Sequence, residues 1–339
     1  MDFFIDLAEG CMPFLYFLRD IANPVLDFFF ALVTHLGEET VFLALSIFIF
    51  WCVDKRGGYY ILLTGLVGTV INQFLKILVR VPRPWVLDPA FEKLAVPEAF
   101  AEATGYSFPS GHTQNIAATF GAIALYNKKK WITVSSLVII VLVAFSRMYL
   151  GVHTPLDVLV SLFIAAALVF GLYPLFKSEE RFSRAFPYIV GVSVVMSAAF
   201  LIYVCSISGD AGLDPERYAS ALENAATLTG CTVGLVLVYI LDTRYTRFST
   251  SAVWYAQIIK LVLGLAIVLG IKAGLSTPLT LLFGNEYVAR VVRYFLVVAF
   301  AGGVWPMTFA RFSKLKIEPL DRFTERVRSL FVKKTKAEK

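Results

Sequence analysis

The chain has 339 residues, 58% of them hydrophobic and only 17% charged, with mean hydropathy +0.72. Soluble domains sit nearer half apolar and a quarter charged, so long uncharged runs exclude a soluble class and predict an all-α, polytopic transmembrane helical bundle of about nine to ten spans. The net charge of +6 would raise nucleic acid in a soluble protein; here the basic residues gather in short loops and the tail, as in cytoplasmic segments facing anionic lipid, and no nucleic-acid partner is expected.

Residues 1–36 are mixed. Phe14, Leu15, Phe17 and Leu18 surround Arg19 and Asp20, and Pro24 follows. An amphipathic interfacial helix plus a short or re-entrant one is the reading, with a tilted full span as the alternative. The four cysteines (Cys11, Cys52, Cys205, Cys231) are scattered, form no CxxC, and predict neither a zinc site nor a disulfide framework. Acids and the lack of a basic region in residues 1–10 argue against a cleavable signal peptide.

Clear spans follow over 36–53, 57–75, 110–127, 131–146 and 154–176, with a Pro-rich loop at 77–109. Further spans are expected near 186–207, 219–241, 252–272 and 288–310, then a basic tail with a possible amphipathic helix over 320–334. The expected division is 1–36 interfacial or short helices, 37–178 a catalytic core, 179–310 additional transmembrane helices and 311–339 a basic cytoplasmic tail. Alternating spans put Lys55-Arg56, Lys128-Lys129-Lys130, the 177–184 loop, Arg244–Arg247 and the tail on one side, which the positive-inside rule makes cytoplasmic. The loops at 77–109, 147–153 and 208–217 then face outward.

Three outward stretches carry chemistry. Lys76 ends a span, and Pro82 and Pro84 turn the chain so that Arg83 can fold back beside it. Two converging cations suit a phosphate, though each also fits a residue snorkelling at a membrane edge. In Pro109-Ser110-Gly111-His112, Ser110 suits an N-cap, Gly111 permits close backbone approach and free N–H groups attract anions. His112 there can pass a proton to a leaving oxygen. In Ser146–Asp157, His153 and Asp157 lie four apart, one face of a helix, so the carboxylate can take one imidazole nitrogen and free the other to attack. Arg147 can grip an anion beside them. An ordinary loop with charges at both membrane edges is the alternative for this stretch.

In order and spacing, Lys76-x6-Arg83-Pro84, Pro109-Ser110-Gly111-His112 and Ser146-Arg147-x5-His153-x3-Asp157 resemble the complete three-part signature of the type 2 phosphatidic acid phosphatase (PAP2) superfamily. The resemblance covers about residues 36–178 and leaves the later spans unexplained. It implies that His153 is the nucleophile forming a phosphohistidine, Asp157 orients it, and His112 protonates the leaving group. Lys76, Arg83, Arg147, the Ser110 hydroxyl and the Gly111 amide then hold the phosphoryl oxygens, with Ser146 in support. No carboxylate cluster for magnesium lies near the motifs, so neither a metal nor another cofactor is expected.

The expected function is an integral cell-membrane phosphatase acting on a membrane lipid phosphate or diphosphate, its site extracytoplasmic. A soluble phosphate ester as in glucose-6-phosphatase-like members, a phosphotransferase, and a non-enzymatic lipid transporter are the alternatives. Among lesser candidates, Lys260 could line a headgroup cavity but fits better as a snorkelling residue. Glu286 and Arg290 have ion-pair spacing, and Trp85, Tyr106 and Phe108 suit an interfacial aromatic belt.

Overall fold

The computed structural model describes residues 2–94, 96, 103, 105–210, 212–315 and 317–320. Among them there is no strand, and the chain is an all-α membrane bundle. Three short helices open it, α1 (Asp2–Gly10), α2 (Met12–Asp20) and α3 (Pro24–Thr34), followed by α4 (Glu39–Phe48). The first half continues with α5 (Lys55–Val79), a single turn α6 (Pro84–Leu87), α7 (Gly111–Asn127), α8 (Lys130–Tyr149) and α9 (Pro155–Phe176). The second half holds α10 (Glu179–Ser206), α11 (Pro215–Leu241), α12 (Trp254–Gly274), α13 (Ser276–Phe283), α14 (Glu286–Ala299) and the final turn α15 (Phe309–Phe312).

Seven helical segments are long and apolar enough to cross a membrane, and the pair Pro24–Gly37 and Glu39–Val53, bent by 50°, makes an eighth if taken as one span. The expected span over 110–127 is the helix α7, which has 17 residues and falls outside that count. Thr113 and Gln114 are fully buried, so α7 carries polar groups because it faces protein and not lipid. Conversely Leu159, Phe163 and Phe170 of α9 and Val192, Val195 and Ile202 of α10 are exposed, as lipid-facing side chains must be.

Packing inside such a bundle cannot rely on expelling water, so close backbone approach and interhelical hydrogen bonds matter more. The Tyr60 hydroxyl donates to the Val169 carbonyl at 2.6 Å, joining α5 to α9. Ser197 and Thr232 hydroxyls meet at 2.6 Å between α10 and α11. Along α11, Gly230 and Gly234 lie against α14: a Cβ at Gly230 would stand 2.3 Å from the Val291 carbonyl oxygen. Gly230→Ala therefore forces the two helices apart and is expected to lower stability by about 1–3 kcal/mol, read as a fall in the thermal midpoint in detergent.

The two ends of the bundle differ in chemistry. At one, Lys55 pairs with Asp242 at 2.7 Å, the Tyr126 hydroxyl donates to Asp54 at 2.5 Å, and Lys128 and Lys177 lie over the Tyr173 ring. At the other, the three motif stretches meet. α5 connects the ends, and its 25 residues at ~1.5 Å each match the thickness of a bilayer.

Several expectations are corrected. Lys260 does not snorkel: it is 1% exposed, donates to the Trp51 carbonyl at 2.7 Å and lies 4.3 Å from the centre of the Phe309 ring. A carbonyl and an aromatic face together satisfy the ammonium in place. Arg290 pairs with Glu223 of α11 at 3.0 Å and not with Glu286, because α14 packs on α11 and the cross-helix carboxylate is nearer. The amphipathic helix expected over 320–334 lies, beyond Leu320, outside the described residues.

Candidate active site

The first motif is positioned by the end of α5. Lys76 is in its last turn, and the helix stops at Arg80, whose left-handed conformation (φ 59°) reverses the chain. Extended backbone at Arg83, ahead of Pro84, then carries its side chain inward. Arg83 is only 5% exposed. Its Nη1 donates to the Val152 carbonyl at 2.9 Å and to His153 Nε2 at 3.0 Å, and its Nε to the Gly105 carbonyl at 3.3 Å. The Lys76 ammonium donates to the Tyr106 carbonyl at 2.7 Å.

The second motif starts α7. Ser110 is its N-cap, fully buried, with Oγ accepting from the Thr113 hydroxyl at 3.0 Å. The Ser161 hydroxyl of α9 donates to the Ser110 carbonyl at 2.9 Å, fixing the turn from behind. A Cβ built on Gly111 would meet only Asn72 Oδ1, 3.9 Å away, so there is room beside the backbone at this helix start for a ligand to approach. Asn72 stands one turn before Lys76 on α5, is 1% exposed, and neither atom of its carboxamide has a partner among the described residues. Nor does His112 Nε2.

The third motif spans the turn from α8 to α9. Arg147 lies in the last turn of α8, and its carbonyl accepts from the Val152 and His153 amides, both at 3.2 Å. Gly151 adopts φ 76°, which the turn requires and which other residues resist. Thr154 caps α9 in a reciprocal box with Asp157: the Thr154 amide donates to Asp157 Oδ2 at 2.7 Å, and the Asp157 amide to Thr154 Oγ1 at 3.4 Å. The same Oδ2 faces His153 Nδ1 at 3.4 Å. Asp157 thus serves the helix end and the histidine together. Ser146 donates to the Val143 carbonyl of its own helix at 2.7 Å, away from this cluster.

The geometry assigns the imidazole its tautomer. A guanidinium can only donate, so Nε2 against Arg83 must carry the lone pair and Nδ1 the proton that faces Asp157. The nitrogen available for attack is Nε2. Burial pushes the His153 pKa well below the usual histidine value, and Arg83, Arg147, Lys76 and His112 push it further down. The histidine is neutral at neutral pH.

Two contributors carry no signal in the linear pattern. Ser107, fully buried in the loop before the second motif, donates to Asp157 Oδ2 at 2.6 Å and lies 3.4 Å from His153 Nδ1. Ser107→Ala removes a hydrogen bond to a buried carboxylate and is expected to lower turnover roughly tenfold, measured as kcat with substrate affinity unchanged. Thr34, from the N-terminal segment, accepts from Arg147 Nη1 at 2.6 Å. Gly37 of the same segment lies so close to His112 that a Cβ would stand 3.0 Å from His112 Cβ. The expected aromatic belt is also corrected. Tyr106 and Phe108 are buried, because the loop they sit on folds inward to bring Ser107 to Asp157, and Trp85 lies beneath the Arg83 guanidinium at 5.9 Å.

Fold and site together define a polytopic membrane protein with a histidine–cation cluster at one end of its bundle. Family models match twice: the PAP2 superfamily over residues 57–181, and the PAP2 superfamily phosphatase, transmembrane extension, over residues 226–317. The chain is 31% identical to phosphatidylglycerophosphatase B of Bacillus subtilis over 177 residues, 48% of this chain and 82% of that protein. To undecaprenyl-diphosphatase BcrC of the same organism it is 33% identical over 152 residues, 44% of this chain and 74% of that one. To sphingosine-1-phosphate phosphatase 1 of Mus musculus it is 28% identical over 189 residues, 53% of this chain but only 43% of the relative. No solved structure matches. The chain belongs to the PAP2 superfamily.

Proposed function

We propose that the protein hydrolyses lipid phosphates or diphosphates through a phosphohistidine on His153. The observation that carries this reading is the His153 ring, with Nε2 against the Arg83 guanidinium at 3.0 Å and Nδ1 toward Asp157. On substrate binding, Arg83 transfers its N–H donors from Nε2 to a phosphoryl oxygen, and the freed lone pair attacks phosphorus. The bond from phosphorus to the leaving oxygen breaks, and that oxygen takes a proton from His112. Water then attacks the phosphohistidine, giving its proton back to His112 and releasing phosphate. Asp157, held by Ser107 and Thr154, steadies the ring as it gains positive charge.

Lys76, Arg83 and Arg147, with Ser110 and the Gly111 amide, neutralise the developing charge, the dominant demand in phosphoryl transfer. Fixed cations meet that demand without a metal. The relatives' printed names, all lipid phosphatases or diphosphatases, support an amphiphilic substrate, as does a site at the end of a membrane bundle. The basic loops gathered at the opposite end support an extracytoplasmic site, with anionic lipid at the cytoplasmic face.

The test is phosphate release by purified protein in detergent with chelator present, comparing phosphatidate, a sphingoid phosphate, a polyprenyl diphosphate and a sugar phosphate. Release from lipid substrates at undiminished rate is expected. Activity confined to the sugar phosphate, or abolished by chelator, would sink the respective half of this reading.

A further inference from the structure

The second half of the molecule reaches the rim of the site. α11 begins beside the end of α5, where Arg80 pairs with Asp210 of the preceding loop at 2.7 Å and the Asn224 amide donates to Gln73 at 3.4 Å. Between the two helices is a notch lined by Gln73, Lys76, Tyr106, Arg217, Ser220 and Asn224. Lys76 belongs to the notch and to the phosphate-binding cluster alike. The Tyr106 carbonyl holds the Lys76 ammonium, while its ring carries the half-buried Arg217 guanidinium at 4.9 Å from the ring centre.

The lining has two cations and no carboxylate. Its other polar groups, the amides of Gln73 and Asn224 and the Ser220 hydroxyl, can all donate. That is the donor set of an anion site, and it lies beside the phosphate-binding cluster instead of within it. The notch itself has a volume of ≈ 20 Å³, room for one water, so an anion would rest at its mouth against Arg217 and Lys76.

We propose that this notch is a subsite for a second anionic group on the leaving-group side of the scissile bond, namely the lipid-linked phosphate of a diphosphate. The inference rests on the phosphatase reading above and selects among its substrates. His153 Nε2 bonds to the distal phosphorus, the bond from that phosphorus to the bridging oxygen breaks, and a lipid monophosphate departs with that oxygen and a proton from His112. Its remaining charge is matched by Arg217. A sphingoid phosphate would instead bring an ammonium group toward the two cations, and like charges repel at this range.

The experiment compares kcat/KM of the full chain in detergent for farnesyl diphosphate, farnesyl monophosphate and sphingosine phosphate, in wild type, Arg217→Gln and Arg217→Lys. Removing one charge-assisted contact is expected to lower kcat/KM for the diphosphate about tenfold, with the monophosphate altered less than twofold and sphingosine phosphate unchanged or raised. Arg217→Lys should keep most of the diphosphate activity. A parallel fall for diphosphate and monophosphate would mean that Arg217 supports the fold only, and no fall for either would mean it contacts no substrate; both overturn the subsite. Wild type that releases phosphate from none of the three overturns the phosphatase reading as well, a pattern distinct from either.

Discussion

Phosphate release by His153→Ala is expected to fall by roughly a thousandfold or more, because the proposed attack needs the His153 Nε2 lone pair, which is oriented by Nδ1 against Asp157. In wild type, labelled substrate quenched in alkali should leave label on the protein, since a phosphohistidine survives base. His153→Ala and the bulkier His153→Gln should leave none. The pair of variants guards against misreading a folding defect. Alanine removes the ring that separates Arg83 from Asp157, while glutamine keeps a polar side chain between them. Full turnover in either variant would rule out covalent catalysis at this position.

The acid limb of the kcat/KM profile should lie well below the usual histidine value. The acid limb reports protonation of the attacking base in the free enzyme, and burial together with four cationic or titratable neighbours holds the His153 pKa well below 6.5. The sign follows directly. A depressed pKa keeps the ring neutral above it, so the attacking base is available through neutral pH and is lost only as pH falls through the folded value. Arg147→Gln removes one depressing charge and should move the limb to higher pH. Movement to lower pH, or a wild-type limb near ~6.5, would contradict the placement of these charges. Stability follows the same linkage. The unfolded chain binds the proton more readily, so stability falls as pH drops below ~6.5 and stops falling only beneath the folded value.

The N-terminal segment shows where reading along the chain stops. Residues 25–36 have apolar character without the length of a span, and composition alone leaves an interfacial, re-entrant or tilted helix. In the fold, α3 ends with Thr34 on Arg147, and Gly37 lies against His112. Neither contact has a local signature, since a threonine and a glycine at a helix end are unremarkable until a partner more than seventy residues away arrives. Ser107 is the same case: it is an ordinary loop serine until the loop folds inward onto Asp157.

The motif residues, by contrast, were legible because their chemistry is costly. Arginine, lysine, histidine and aspartate are expelled from apolar surroundings unless function retains them, so six such residues in three stretches between uncharged spans stand out against their background. Length and apolarity likewise marked the helices, because a bilayer leaves little choice of backbone structure. Sequence alone therefore determined the all-α membrane class and the family resemblance, and it marked most residues of the proposed site. Only the tertiary structure decided which nitrogen of His153 faces Arg83 and which faces Asp157, which groups hold Asp157, and that Arg217 of the second half stands beside Lys76. Those are relations between residues far apart in the chain, set by how the helices pack, and no local pattern encodes them.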